Sequence, residues 1–194
     1  MPPKTKITKE MILDASFNII RKEGHESLNA RRIAEYLKCS TQPILYNFGT
    51  VDEIRGEVYK IADEYHTKYI MPKGKSGKDP MLELGLNYIR FGHEESNLFR
   101  FLFQTNKFGG TDINALMSSS DLSAIIDIVA AAVKCSKEDA QEIFLTFFIS
   151  AHGCASLLAN NSMDYNEKQS EEVLENIFFG MLAVKKGDNH DQIL

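Results

Sequence analysis

The sequence predicts an all-α fold, a small three-helix head on a larger helical body, and three observations carry that reading. Apolar residues recur at spacings of three and four along almost the whole chain, the period of a half-buried helix. Alternation of the kind a strand needs never runs beyond about four residues. Helix-start chemistry is written plainly in the first seventy residues.

The elements follow in order. Thr8 can cap a first helix, with Ile7 and Ile12 at the staple positions, and Ile12, Leu13, Phe17 and Ile20 form its stripe. Gly24 supplies a stop with positive φ. Asn29 can cap a second helix over about 30–37, stapled by Leu28 and Ile33. Ser40 can cap a third over about 41–47, with Pro43 in its first turn, where a missing N–H costs little. Thr50-Val51-Asp52-Glu53 reads as a capping box opening a fourth helix that reaches about Ile70. A flexible linker is expected from Pro72 to Pro80, then helices near 81–94, 96–106, 112–133, 137–160 and 167–186. Gly109-Gly110 and the polar run from Asn160 to Asn166 interrupt them, and a frayed tail is expected after Gly187. The domains are read as 1–50 and 51–194.

Charge divides at the same place. Residues 1–50 hold eight Lys/Arg against five Asp/Glu, and residues 51–194 hold fourteen against twenty-two. A basic head on an acidic body fits a nucleic-acid reader fused to a domain that does not touch nucleic acid. The three cysteines lie far apart and in no metal-ligand spacing, which argues against a disulfide framework and against zinc. No stretch of eighteen consecutive apolar residues and no signal-type N-terminus occurs, so a cytoplasmic protein that does not span a membrane is expected. The histidines are scattered, His93-Glu94-Glu95 lacks a second zinc ligand, and Gly109-Gly110 follows no strand. An enzyme is therefore not expected, nor a catalytic residue, a metal or a cofactor.

Residues 29–48 carry the function. Two short helices joined by Lys38-Cys39-Ser40 have helix-turn-helix spacing. A helix with side chains, about 10–12 Å across, fits the major groove of double-stranded DNA. Ile44, Leu45 and Phe48 are expected to face a core with Ile33, Leu37, Leu13 and Phe17, leaving Thr41, Gln42, Tyr46 and Asn47 outward. Gln and Asn amides can pair with adenine, Thr can offer a methyl to thymine, and Tyr can reach a phosphate. Lys4, Lys6 and Lys9, Arg31, Arg32 and Lys38 supply phosphate-range cations. By spacing alone, the same pattern also fits a plain three-helix packing unit.

The residues themselves add a resemblance. Ile12-Leu13-Asp14-Ala15, Gly24, Ile33-Ala34, Cys39-Ser40, Phe48 and Glu53-Ile54 resemble the N-terminal domain of TetR-type regulators, in register from about Ile7 to Ile54. Tyr88-Ile89-Arg90-Phe91, Asn97 to Phe103 and Ala151-His152-Gly153 resemble, more faintly, the regulatory domain of that family. The resemblance implies a dimeric repressor of a palindromic operator. It implies Asn29 as the cap of the second helix near a phosphate, and Thr41, Gln42 and Pro43 in the first turn of the reading helix. The family's usual aromatic near that helix's end falls on Leu45, with Tyr46 one place later, and its usual lysine opening the fourth helix falls on Val51.

Within the body, the resemblance implies a small apolar or amphipathic effector, for which Tyr65, Tyr69, Asn87, Phe91, Phe103, Phe148 and His152 are the candidate contacts. It also implies a homodimer through the last two long helices, with Phe147, Ala151, Ala155, Leu158, Leu174 and Phe178 as candidate seam residues. Small residues at Ala151, Gly153, Ala155 and Ser156 would let a partner helix approach. The alternative reading is a helical scaffold or adaptor with a vestigial DNA-binding head.

Overall fold

The computed structural model describes residues 6–73, 77–105 and 120–185. Lys4, the middle of the expected linker, the Gly109-Gly110 break, the start of the helix expected from 112 and the tail after Gly187 lie outside the described residues. Every regular element described is helical. The chain divides into two compact units, one of residues up to 69 with 95–105, the other of residues 70–94 with those from 106 onward.

The first unit begins with α1 (Lys9–Glu23), where the Thr8 hydroxyl accepts the N–H of Met11 at 3.3 Å. Its apolar stripe puts Ile12, Ile19 and Ile20 wholly out of solvent, each worth roughly 1.5–3 kcal/mol. Gly24 ends it at φ 89°, where a side chain would be strained, and its N–H closes on the Ile20 carbonyl at 3.0 Å. After a 3-10 turn at His25–Ser27, α2 (Ala30–Leu37) starts on Asn29, whose Oδ1 accepts the Arg32 N–H at 2.9 Å. Lys38 stops α2 in the left-handed region, φ 53°, and the N–H of Cys39 returns to the Ala34 carbonyl at 2.9 Å.

Next comes α3 (Gln42–Asn47), with Pro43 in its first turn as expected. The expected Ser40 cap is corrected: the cap position is Thr41, already helical at φ −72°, ψ −19°, and it makes no side-chain cap bond. The stop at Lys38 leaves only a short bridge to α3, and the turn delivers Thr41 already wound. Helix α4 (Val51–Ile70) opens with Thr50 Oγ1 accepting the Glu53 N–H at 3.2 Å, while Glu53 Oε2 takes the N–H of Gly49 at 3.1 Å. Helix α6 (Ser96–Phe103), shorter than its expected span, packs on α1 and buries Leu98, Phe99, Phe101 and Leu102.

The second unit holds α5 (Pro80–Glu94), α7 (Ser120–Val133), α8 (Lys137–Ala159) and α9 (Glu167–Lys185). Helix α8 is central, in contact with α5, α7 and α9, and α5 also packs on α9. By length and composition α8 is apolar enough to cross a bilayer, and that same composition suits the middle of a helical core. Side chains cap three of these helices: Asp79 Oδ1 accepts the Met81 N–H at 2.8 Å, Ser136 Oγ that of Asp139 at 3.1 Å, and Asn166 Oδ1 that of Gln169 at 3.1 Å. Glycines let the helices approach: a Cβ on Gly92 would stand 2.7 Å from the Ala155 carbonyl oxygen, and one on Gly85 would stand 2.5 Å from the Phe147 ring.

Candidate nucleic-acid interface

In the first unit, α2, the turn at Lys38–Thr41 and α3 form a helix-turn-helix arrangement fixed from beneath by apolar anchors. Ile33 and Ile44 are fully buried and Phe48 nearly so, which sets the roll of α3 about its axis. That roll leaves Thr41, Gln42, Leu45 and Tyr46 on the surface. Tyr46 is 90% exposed, and neither it nor Gln42 makes a side-chain hydrogen bond among the described residues. A large aromatic held out in water with no internal partner contributes little to the fold and stays available to a phosphate or a base edge.

Two expectations for this helix are corrected. Leu45, expected inside, is 46% exposed. At one hundred degrees per residue it lies about a hundred degrees from Ile44, which takes the buried position. Asn47, expected outward, is half-buried, and its Nδ2 donates to the Pro43 carbonyl at 2.7 Å and to that of Ile7 at 3.3 Å. It ties the N-terminal segment to α3, a structural use that spacing could not show.

The cations separate in the same way. Arg31 is exposed with no ion pair among the described residues, and Lys6 and Lys38 are exposed. Arg32 instead donates through Nε to Glu23 Oε2 at 2.9 Å and stands 3.6 Å from Glu35. That pairing raises the guanidinium pKa and holds the Glu23 carboxyl below its usual range. Sequence reasoning missed Arg55, whose guanidinium pairs with Asp52 and reaches the Leu28 carbonyl at 3.5 Å, clasping α4 to the start of the helix-turn-helix. Lys9, expected only as a phosphate-range cation, is seated 5.2 Å over the Phe48 ring. A Lys or Arg placed three residues from an acid, as Arg55 is from Asp52, is the signal that would have found Arg55.

Of the seven effector candidates, Tyr65, Tyr69 and Phe103 belong to the first unit and Asn87, Phe91, Phe148 and His152 to the second. In the first unit, Tyr65 and Tyr69 have their rings 6.4 Å apart, and Phe103 meets His66 edge-on at 5.1 Å. In the second, Phe148 and His152 gather with Tyr88: the Tyr88 ring lies 5.7 Å from Phe148, and its hydroxyl is 2.9 Å from His152 Nδ1. Burial pushes the Tyr88 phenol up and the His152 imidazole down, so both stay neutral near pH 7. Phe91 is wholly buried, and the Asn87 amide is occupied by the Ile70 carbonyl at 3.2 Å and by Arg90 at 3.1 Å.

None of the seven lines the apolar cavity of about 460 Å³ that the second unit contains. That cavity is bounded by Leu84 on α5, Val129 on α7 and Phe178 on α9, with Asp79 among its walls.

The six seam candidates are corrected outright. Phe147, Ala151, Ala155, Leu158, Leu174 and Phe178 are all 5% exposed or less within the single chain. The small residue at Ala155 admits α5 of the same chain, through Gly92, and not a partner helix. The opposite stripe, Ile149, Gly153 and Leu157 on α8, is exposed, as are Val173, Gly180 and Val184 on α9.

Compared with known proteins, the chain matches no family model and no curated protein. Among solved structures it is similar to a TetR-like transcriptional regulator from Rhodococcus sp. RHA1, with 16% identity and a TM-score of 0.64 over 94% of this chain and 99% of that one. It also aligns with the TetR family protein ActR of Streptomyces coelicolor in complex with (S)-DNPA, at 19% identity and a TM-score of 0.47, over 93% and 100% of the two chains. The chain therefore has the all-α fold of a TetR-like regulator.

Proposed function

We propose that this chain is a cytoplasmic DNA-binding transcriptional regulator of the TetR type. In this reading residues 1–50 grip DNA, residues 51–194 sense and dimerise, and the homodimer represses from a palindromic operator until a small apolar or amphipathic effector releases it. The observation that carries the reading is the outer face of α3, where Gln42 and Tyr46 have no side-chain hydrogen bond among the described residues above a fully buried anchor at Ile44, with Arg31 and Lys38 exposed on α2 and in the turn. A helix held so rigidly from below and left so open above is suited to enter a groove. The whole-chain likeness in fold to a TetR-like regulator supports the same reading.

A homodimer follows from the reading, because two heads must meet major grooves about 34–36 Å apart or a multiple of that. The surface that suits the seam is the exposed stripe of Ile149, Gly153 and Leu157 with Val173, Gly180 and Val184. Gly153 and Gly180 have open space where a Cβ would sit, so a second backbone can come close there.

The test is selection of duplexes from a random pool by the purified chain at physiological salt, followed by sequencing. The expected outcome is a palindromic consensus, lost in Gln42→Ala, with about 1–3 kcal/mol at stake for a good base contact. No enrichment from a folded protein would move the scaffold or adaptor reading to the front.

A further inference from the structure

We propose that the apolar cavity among α5, α7 and α9 binds a lipophilic amine, its hydrocarbon body inside and its ammonium on Asp79. The cavity, about 460 Å³, falls within the roughly 300–1,000 Å³ of small-molecule sites. Its deeper walls are Leu84, Val129 and Phe178, the last two only 5% exposed. At its mouth Met71, Ile128 and Phe179 are 43%, 68% and 53% exposed, an apolar surface that the described residues leave open.

Asp79 is the sole polar side chain among the described lining residues. Its Oδ1 accepts the Met81 N–H and so caps α5, while Oδ2 takes no hydrogen bond among the described residues. The neighbouring Lys78 cannot serve as its counter-ion without leaving Glu171, with which it is paired. One oxygen is thus spent on structure, and one is left to a ligand at the edge of an apolar chamber.

That arrangement selects by charge. A fatty acid anion would bring a carboxylate toward Asp79 and would have to lose water without gaining a partner. A neutral alcohol would find one acceptor. An ammonium finds a charge-assisted hydrogen bond, in a body whose residues 51–194 carry fourteen basic against twenty-two acidic groups and so attract cations. The effector role of this site rests on the regulatory reading above; the binding itself does not.

The experiment uses the full chain with N-phenyl-1-naphthylamine as a fluorescent occupant, displaced by dodecylamine, dodecanol or dodecanoate below their micellar concentrations. These competitors share one hydrocarbon chain and differ only in head group. Dodecylamine is expected to displace the probe at a concentration about threefold or more below dodecanol, with dodecanoate weakest. Asp79→Asn keeps a capping side chain at an exposed position, so α5 stays intact, and it should bring amine and alcohol within about twofold of each other. Ile128→Trp, at the exposed mouth, should weaken all three. A probe that does not bind, or an amine preference that survives Asp79→Asn, overturns the proposal. Retention of operator DNA, measured separately without ligand, reports on the regulatory reading whatever the displacement shows.

Discussion

Glu95 grips Arg21 with both carboxylate oxygens, Nε donating to Oε2 at 2.7 Å and a terminal nitrogen pairing with Oε1. The Tyr65 hydroxyl donates to Oε1 at 2.8 Å, so residues of α1, α4 and the cap of α6 meet in one network. The Arg21 guanidinium also lies 5.3 Å over the Tyr65 ring, and the Arg21 carbonyl accepts the Asn97 amide at 3.0 Å. Glu95 is buried in this network, while Arg21 is 41% exposed at its side chain and partly screened.

Glu95→Gln keeps shape and removes charge. It is expected to cost about 1–2 kcal/mol, less than a fully buried pair because of that screening. Urea denaturation of Glu95→Gln, Arg21→Met and the double variant would measure the coupling. Strictly additive losses would mean the two residues stabilise the unit separately.

The approach of α5 to α8 at Gly92 gives the second expectation. A methyl at this position must push against the Ala155 backbone, which cannot turn aside as a side chain can. Gly92→Ala should therefore destabilise the chain by about 1–3 kcal/mol, outweighing the roughly 1 kcal/mol that alanine gains over glycine in a helix. Gly153→Ala, where nothing lies within 4 Å, should stabilise the chain or leave it unchanged in the monomer. Thermal melts of the pair decide whether close packing or helix propensity governs each site.

Much of this was legible in the sequence, and the parts that were not share a cause. Caps are local chemistry, so Thr8, Asn29 and the Thr50–Glu53 pair could be read directly, and the periodicity located each described helix. Which of two apolar stripes on α8 meets its own chain could not be read, because Phe147–Ala151–Ala155 and Ile149–Gly153–Leu157 are both apolar at helical spacing. Only the glycines of α5, far away in sequence, decide it. The same holds for Asn47 and Arg32, whose outward appearance disappears once Ile7 and Glu23 are placed beside them.

Arg31 and Arg32 differ in that respect, and the difference predicts a salt effect. If the head binds DNA, Arg31 can release a counter-ion from a phosphate without giving up a partner in the fold. Arg31→Ala should reduce the slope of log K against log salt by about 0.9. Arg32→Ala should change that slope less and lower stability instead, since it orphans Glu23. Fluorescence anisotropy across a salt series, alongside melts, would reverse this assignment if Arg32 alone moved the slope.

If the exposed stripe of α8 is the dimer seam, a charge in its middle should be intolerable there and harmless in the monomer. Leu157 is 48% exposed, so Leu157→Glu is expected to leave the fold intact and shift sedimentation from dimer to monomer. A variant that stays dimeric would place the seam elsewhere.

His66 sets an acid limit on the first unit. It sits in α4 against the Phe103 ring, and burial pulls its imidazole down from 6.5 to about 4. Above pH 6.5 the side chain is neutral both folded and unfolded, so stability does not depend on pH through this group. Between 6.5 and about 4 the unfolded chain takes up a proton that the folded chain refuses, and stability falls as pH falls. The loss approaches about 3 kcal/mol as pH nears 4, because each step of one in pH across that window costs about 1.36 kcal/mol. His66→Leu, close in volume, removes the titration, so its urea midpoint should decline less steeply than the wild type's over that window. Parallel declines would mean that His66 becomes protonated in place, with the unit opening enough to hydrate it.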